Sequence, residues 1–176
     1  CNAAAGDAGA EFISKLQILT GAEIAATKTL TGSQAIGGDW QLETTTTKMN
    51  FELAIAASTR EAYQGVLAEF VVTTADDESD GDVDGYDLSL REAIIAANNT
   101  PGADTITFDS NVNWINLTSE TLTITDAVTI NGGGADSLTI YGGNQDFAVF
   151  TIDDGDLAAN FNVEIDGVTI SGGNNA

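Results

Sequence analysis

From residue 105 onward the chain is written in period two. Thr105-Ile106-Thr107-Phe108, Leu122-Thr123-Ile124, Val128-Thr129-Ile130, Leu138-Thr139-Ile140, Val149-Phe150-Thr151-Ile152 and the stretch 163–170 alternate apolar with polar residues. That is the pattern of short strands with one buried face. Clusters of Gly, Asn and Asp separate them at 131–134, 142–144, 153–156 and 171–175. A sandwich would satisfy such a pattern, but the near-repetition of VTING, LTIYGG and VTISGG points to the rungs of a parallel β-solenoid.

A run of carboxylates, 76–87, precedes this half and opens directly into an amphipathic helix. Leu88, Leu90, Ala93, Ile94 and Ala97 mark its apolar face, and Asn98-Asn99-Thr100-Pro101-Gly102 ends it. Residues 1–70 hold eight acids and four bases, whereas residues 71–176 hold nineteen acids and the single base Arg91. Most of the formal charge of −22 therefore lies in the second half. A chain this acidic, with no His, is repelled by nucleic acid and by anionic membrane surfaces. Divalent cations are its natural partners.

The first 70 residues read differently. Phe12, Ile13, Leu16 and Leu19 form a helical stripe ended by Thr20-Gly21. A short strand is expected over 22–26, a turn into another over 37–43, a helix start at Ser58-Thr59-Arg60-Glu61 and a strand over 69–74, while 51–57 suits helix or strand. No apolar run reaches the roughly 20 residues that span a bilayer, and no basic n-region precedes an apolar one, so neither a membrane anchor nor a signal peptide is expected. The single Cys excludes an internal disulfide. Opening at Cys1 without Met and stopping in mid-pattern, the chain reads as a fragment.

Two resemblances follow from these residues. DLSLREAIIAANN followed by PGADTITFD closely resembles the start of the CSLREA-type right-handed β-helix regions of large bacterial surface proteins, in which a capping helix and first strand precede the solenoid. Ser89, Leu90, Arg91, Glu92 and Ala93 match the motif, and Leu88 stands where that family has Cys. The resemblance covers about residues 70–176. The front segment, CNAAAGDAGAEFISKLQILTGAEIAATKTLTG with GGDWQLE after it, resembles the C-terminal part of an uncharacterised N-terminal domain of very large, repetitive bacterial exoproteins. There a Tyr-Gly-Cys before a helix and an upstream His-Gly are similar to the dyad of caspase-like cysteine peptidases, and Cys1 matches that Cys by position.

The candidate chemistry is limited. A catalytic thiol needs a base or a cationic neighbour, and without His a dyad within this chain is excluded. Cys1 is then the end of a fragment or processed product, half of a site completed by upstream residues, or a lipidated terminus. Asp80-Gly81-Asp82-Val83-Asp84-Gly85 has the D-x-D-x-D-G spacing that opens a calcium loop, with Gly85 for the sharp turn. Arg91 stands where a complete loop has its bidentate Glu, so Asp76, Asp77, Glu78 or Asp87 would complete the shell; the alternative is a solvated acidic loop. Asp153, Asp154 and Asp156 could serve polysaccharide cleavage, but with Arg91 as the only base of this half they read as turn residues. Arg91 and Glu92 are expected to be structural, with Arg91 paired to loop Asp residues or strand-end carbonyls. Trp40 and Trp114 are expected to be core or edge anchors. Asn98 and Asn116 open glycosylation sequons that occur readily by chance.

The expected fold is mainly β: the start of a right-handed parallel β-helix with a capping helix, preceded by a small α/β segment. The expected boundaries are 1–68 for that segment, 69–104 for the acidic loop and capping helix, and 105–176 for the first rungs. The expected role is non-enzymatic, a structural or adhesive element of a secreted or cell-surface bacterial protein. It would be calcium-stabilised and able to assemble end to end into filaments or to meet a host-surface ligand, without membrane insertion. The alternative is part of a caspase-like autoprocessing module with Cys1 as nucleophile.

Overall fold

A computed structural model describes residues 3–46, 55–81, 87–156 and 160–174. The chain divides into two compact units, 1–68 and 69–176. The first holds α1 (Gly6–Thr20), β1 (Ala25–Ala26), β2 (Thr31–Gly32), β3 (Thr44–Thr45), α2 (Ala57–Ala62) and β4 (Val66–Leu67). Gly21 closes α1 in the left-handed conformation, φ 67°, its amide donating to the Gln17 carbonyl at 2.8 Å. Little of α1 is covered: Ile13 packs with Ala4, Ala26 and Ile24, while Phe12, Ile18 and Leu19 stay exposed.

Two antiparallel pairs complete this unit, β1 with β3 and β2 with β4. The strand expected over 22–26 shrinks to β1, and the turn at 37–43 delivers the chain to β3. Positions 51–54 of the ambiguous stretch lie outside the described residues. The backbone crowds at Gly32: with φ at 144°, its missing Cβ would overlap the Gly65 carbonyl oxygen and stand 2.7 Å from Val66 Cα.

The second unit is mixed α/β with strands dominant, and all its sheets are parallel. Its elements are β5 (Glu69–Val72), α3 (Leu90–Asn99), β6 (Asp104–Phe108), β7 (Trp114–Asn116), β8 (Leu122–Ile124), β9 (Val128–Asn131), β10 (Thr139–Tyr141), β11 (Phe150–Ile152), β12 (Val163–Asp166) and β13 (Thr169–Ser171). The sheet orders are β5-β6-β9-β12, β7-β10-β13 and β8-β11. From β6 onward, each paired strand meets the strand three later in sequence.

This register stacks like on like. Phe70, Ile106, Ile130 and Ile165 are successive partners in the first sheet, and Ile115, Ile140 and Ile170 in the second. Leu122 faces Phe150, and Ile124 faces Ile152, in the third. Ile106, Ile115, Ile124, Ile130 and Ile140 are fully buried in one continuous core. Each such side chain contributes about 1.5–3 kcal/mol of burial, an upper bound against a compact unfolded chain.

Two strand expectations change. The stretch 163–170 is two strands, because Gly167 takes φ 65° and turns the chain from one sheet to the next. A Cβ at Gly167 would lie 2.7 Å from the Gly134 nitrogen, so the corner also demands the close backbone approach that glycine permits. The sequence reading did not anticipate β7, whose Trp-Ile-Asn offers a single inward residue and so no visible alternation.

α3 lies against β5, β6 and β8 and buries Leu90, Ala93, Ile94 and Ala97 in the same core. It thereby covers the beginning of the stack.

Candidate functional site

The acidic loop and the start of α3 form one hydrogen-bonded structure. Ser89 is the helix N-cap: its hydroxyl accepts the Glu92 amide at 3.1 Å, while Glu92 Oε2 accepts the Ser89 amide at 3.1 Å, a reciprocal capping box. Glu92 Oε1 accepts the Gly81 amide at 2.9 Å. The Ser89 hydroxyl also faces the Glu78 carbonyl at 2.9 Å and Glu92 Oε2 at 3.0 Å, with one hydrogen to give. Glu92 thus fastens the loop to the helix. From sequence Ser89 stands out only as a position of the motif match, although the spacing Ser89-x-x-Glu92 is also a helix-start signal.

Arg91 reaches back across the loop. Its Nε donates to Asp77 Oδ1 at 2.8 Å and its Nη2 to the Glu120 carbonyl at 2.8 Å. The Asp77 side chain is 1% exposed and that of Arg91 9%. Asp77 Oδ2 accepts the amides of Thr118 and Ser119 at 2.7 and 3.1 Å and the Ser119 hydroxyl at 3.0 Å. Burial alone would raise the Asp77 pKa. The Arg91 hydrogen bond and charge, with the Thr118 and Ser119 donors, outweigh it and hold the carboxyl below its usual range. Both oxygens of Asp77 therefore serve the cap, which occupies the one candidate cation ligand that is buried among the described residues.

Farther along α3, Asn98 donates to the Thr123 carbonyl and accepts the Thr125 amide, both at 2.8 Å. Expected as part of a helix stop and a sequon, Asn98 sits inside the last turn of α3 and bridges to β8. Together Asp77, Arg91 and Asn98 occupy backbone groups of residues 118–125 along the leading edge of the stack. On the other side of β8 the same kind of groups meet β11, as in the Leu122 amide donating to the Val149 carbonyl at 3.0 Å. The side chains of the cap stand in for a missing preceding strand.

The remaining candidates are dispersed. Asp76, Asp80 and Asp87 are exposed, while Asp82, Asp84 and Gly85 lie outside the described residues. Among the described residues no three acidic or Cys side chains gather as a metal site. Glu78 is nonetheless held above the usual carboxylate range, by desolvation first and then by the charges of Asp87, Asp80, Asp76 and Glu92. Cys1 lies outside the described residues, and the chain contains no His. Asp153 and Asp154 each accept a backbone amide two residues on, from Gly155 at 2.8 Å and Asp156 at 2.9 Å, and so shape an exposed turn. Trp114 is half exposed on the outer face of β7, tilted against Tyr141 with ring centroids 5.5 Å apart.

One family match accompanies this geometry. Residues 1–67 match the model of DUF4347, a domain of unknown function. The DUF4347 match ends one residue before the end of the first compact unit. Comparison with curated proteins and with solved structures gives no match. Among the described residues no helix is long and apolar enough to cross a membrane.

Proposed function

We propose that the second unit is the capped beginning of a right-handed parallel β-helix and serves as a structural or adhesive element of a secreted or surface-displayed bacterial protein. The observation that carries this reading is the covered start of the stack together with its like-on-like parallel register. At the start, α3 and the acidic loop cover the core and occupy the edge backbone groups. At the far end the aliphatic ladders run out to Ile152 and Ile170, which are 51% and 46% exposed. Strand order with fixed like-on-like register is the arrangement of a solenoid, and right-handed crossovers are the rule for parallel strands. End-to-end assembly into fibres belongs to the same proposal, because unpaired strand edges accept further strands.

Calcium is proposed as the cation of the acidic loop. The support is the D-x-D-x-D-G spacing at 80–85 and the crowding that raises Glu78. The test is calorimetric titration of the 176-residue chain with calcium, with sedimentation velocity run in parallel in calcium and in EDTA. Saturable binding with assembly or added stability in calcium supports the reading. A monodisperse monomer that neither binds calcium nor changes its unfolding temperature with EDTA refutes both the cation and the assembly.

A further inference from the structure

The first unit contains a cleft of about 520 Å³ whose walls include Ser33, Gln34, Trp40, Gln41, Arg60 and Tyr63. Ligand sites commonly fall in the range of about 300–1,000 Å³. Three polar atoms belonging to these walls, Trp40 Nε1, Arg60 Nε and Tyr63 Oη, are buried and have no hydrogen-bond partner in the structure. Buried polar groups are nearly always paired, because an unmade bond costs about 1–3 kcal/mol each. Three such atoms belong to the walls of one cleft, and their chemistry is uniform. Two can only donate, and the Tyr hydroxyl can donate as well.

The rest of the unit is built to hold them. Trp40 and Tyr63 meet edge to face, ring centroids 5.8 Å apart at 71°. Two residues before Trp40 the backbone is closely packed: a Cβ at Gly38 would come within 2.7 Å of Val66 Cγ1 and 2.9 Å of the Gly32 carbonyl carbon. Asp39 then accepts the Gln41 amide at 2.8 Å and faces the Thr29 hydroxyl at 3.1 Å. Arg60 lies in α2 and Tyr63 caps its C-terminus, three residues on and on the same side.

We propose that this cleft binds an acidic sugar, a uronate residue of a polysaccharide, with its carboxylate on the donors of Arg60, Trp40 and Tyr63. A set of donors belonging to the walls of one cleft, one of them a guanidinium, calls for an anionic acceptor. With eight acids against four bases in residues 1–70, a doubly charged phosphate is disfavoured more than a singly charged carboxylate. Ser33, Gln34 and Gln41 line the same cleft and carry hydroxyl and amide groups suited to sugar hydroxyls. The local backbone offers little to a peptide, because the amides of Gly32, Ser33, Ala35 and Gly38 are already bonded within the unit. This site is independent of the solenoid reading of the second unit.

The test follows the fluorescence of Trp40 in the full chain carrying Trp114→Phe, which leaves one tryptophan. Titration with digalacturonate is expected to give a saturable change, at least tenfold weaker with the neutral digalactose. Arg60→Lys keeps the charge but loses the guanidinium geometry. With far-UV circular dichroism unchanged, it is expected to weaken digalacturonate binding at least tenfold, and Gln41→Ala is expected to weaken it less. Absence of a saturable response, an equal response to digalactose, or equal or tighter binding of inorganic phosphate or of a short peptide's terminal carboxylate would overturn the proposal.

Discussion

Replacing Asp77 with Ala tests the cap directly. The substitution removes the acceptor of Arg91 Nε and of two amides at 118–119. Thr118 and Ser119 are exposed and can turn to water, so the lost amide bonds cost little. The dominant cost is the guanidinium left nearly buried with only the Glu120 carbonyl. Removing one partner of a buried pair costs about 3–5 kcal/mol. For a unit of this size that lowers the unfolding temperature by about 12–20 °C. Asp77→Ala combined with Arg91→Met should recover part of the loss, a coupling of about 0.5–3 kcal/mol, because no lone charge then remains. The pH dependence has a fixed sign. The Asp77 carboxyl is held below its usual range, so its stabilisation is complete above the unfolded value near pH 4 and is lost as pH falls through the lower folded value. The difference between wild type and Asp77→Ala should therefore be constant from about pH 5 upward and shrink in more acid solution. Differential scanning calorimetry of the 176-residue chain measures both. A loss below about 3 °C, or strict additivity of the two substitutions, would show that the pair does not hold the cap.

Five further substitutions probe other parts of the fold. Ile130→Ala and Ile140→Ala, in the middle of the ladders, should each cost about 2–5 kcal/mol in denaturant unfolding, and Ile170→Ala at the open end much less; equal costs would contradict the stacked core. Ser89→Ala should cost about 0.5–2 kcal/mol through the lost cap, and a neutral result would separate the helix start from the loop. Glu78 has a raised pKa, so its ionisation opposes folding as pH rises; Glu78→Gln should raise the unfolding temperature at neutral pH and low salt, an effect that salt diminishes, and a lowered temperature there would reverse the assigned sign.

The strands were legible where alternation ran for three or more residues, as at 122–124 and 128–130, since a half-buried strand leaves that trace. It failed at 114–116, where one inward Ile carries the element, and across Gly167, where apolar residues continue through a change of sheet. Charge made Arg91 conspicuous, because a lone base among nineteen acids has many possible partners nearby. Which Asp it meets could not be read from sequence, since Asp77 is selected by the 118–119 amides that the fold brings to it from 41 and 42 residues away. The cleft at Trp40 was hidden for the same reason: Arg60 and Tyr63 reach Trp40 only through the pairing of β2 with β4.

The corners of the stack bear on how such a chain can change. Registered partners follow one another at unequal intervals: Asp104 faces Val128, and Val128 faces Val163. The ladder fixes what each pass must place inward, while the span between is set only by the excursion at the corner. Lengthening a loop costs little, about 0.6 kcal/mol for each doubling. Selection can therefore rewrite the corners, by insertion as readily as by substitution, without disturbing the isoleucines beneath them.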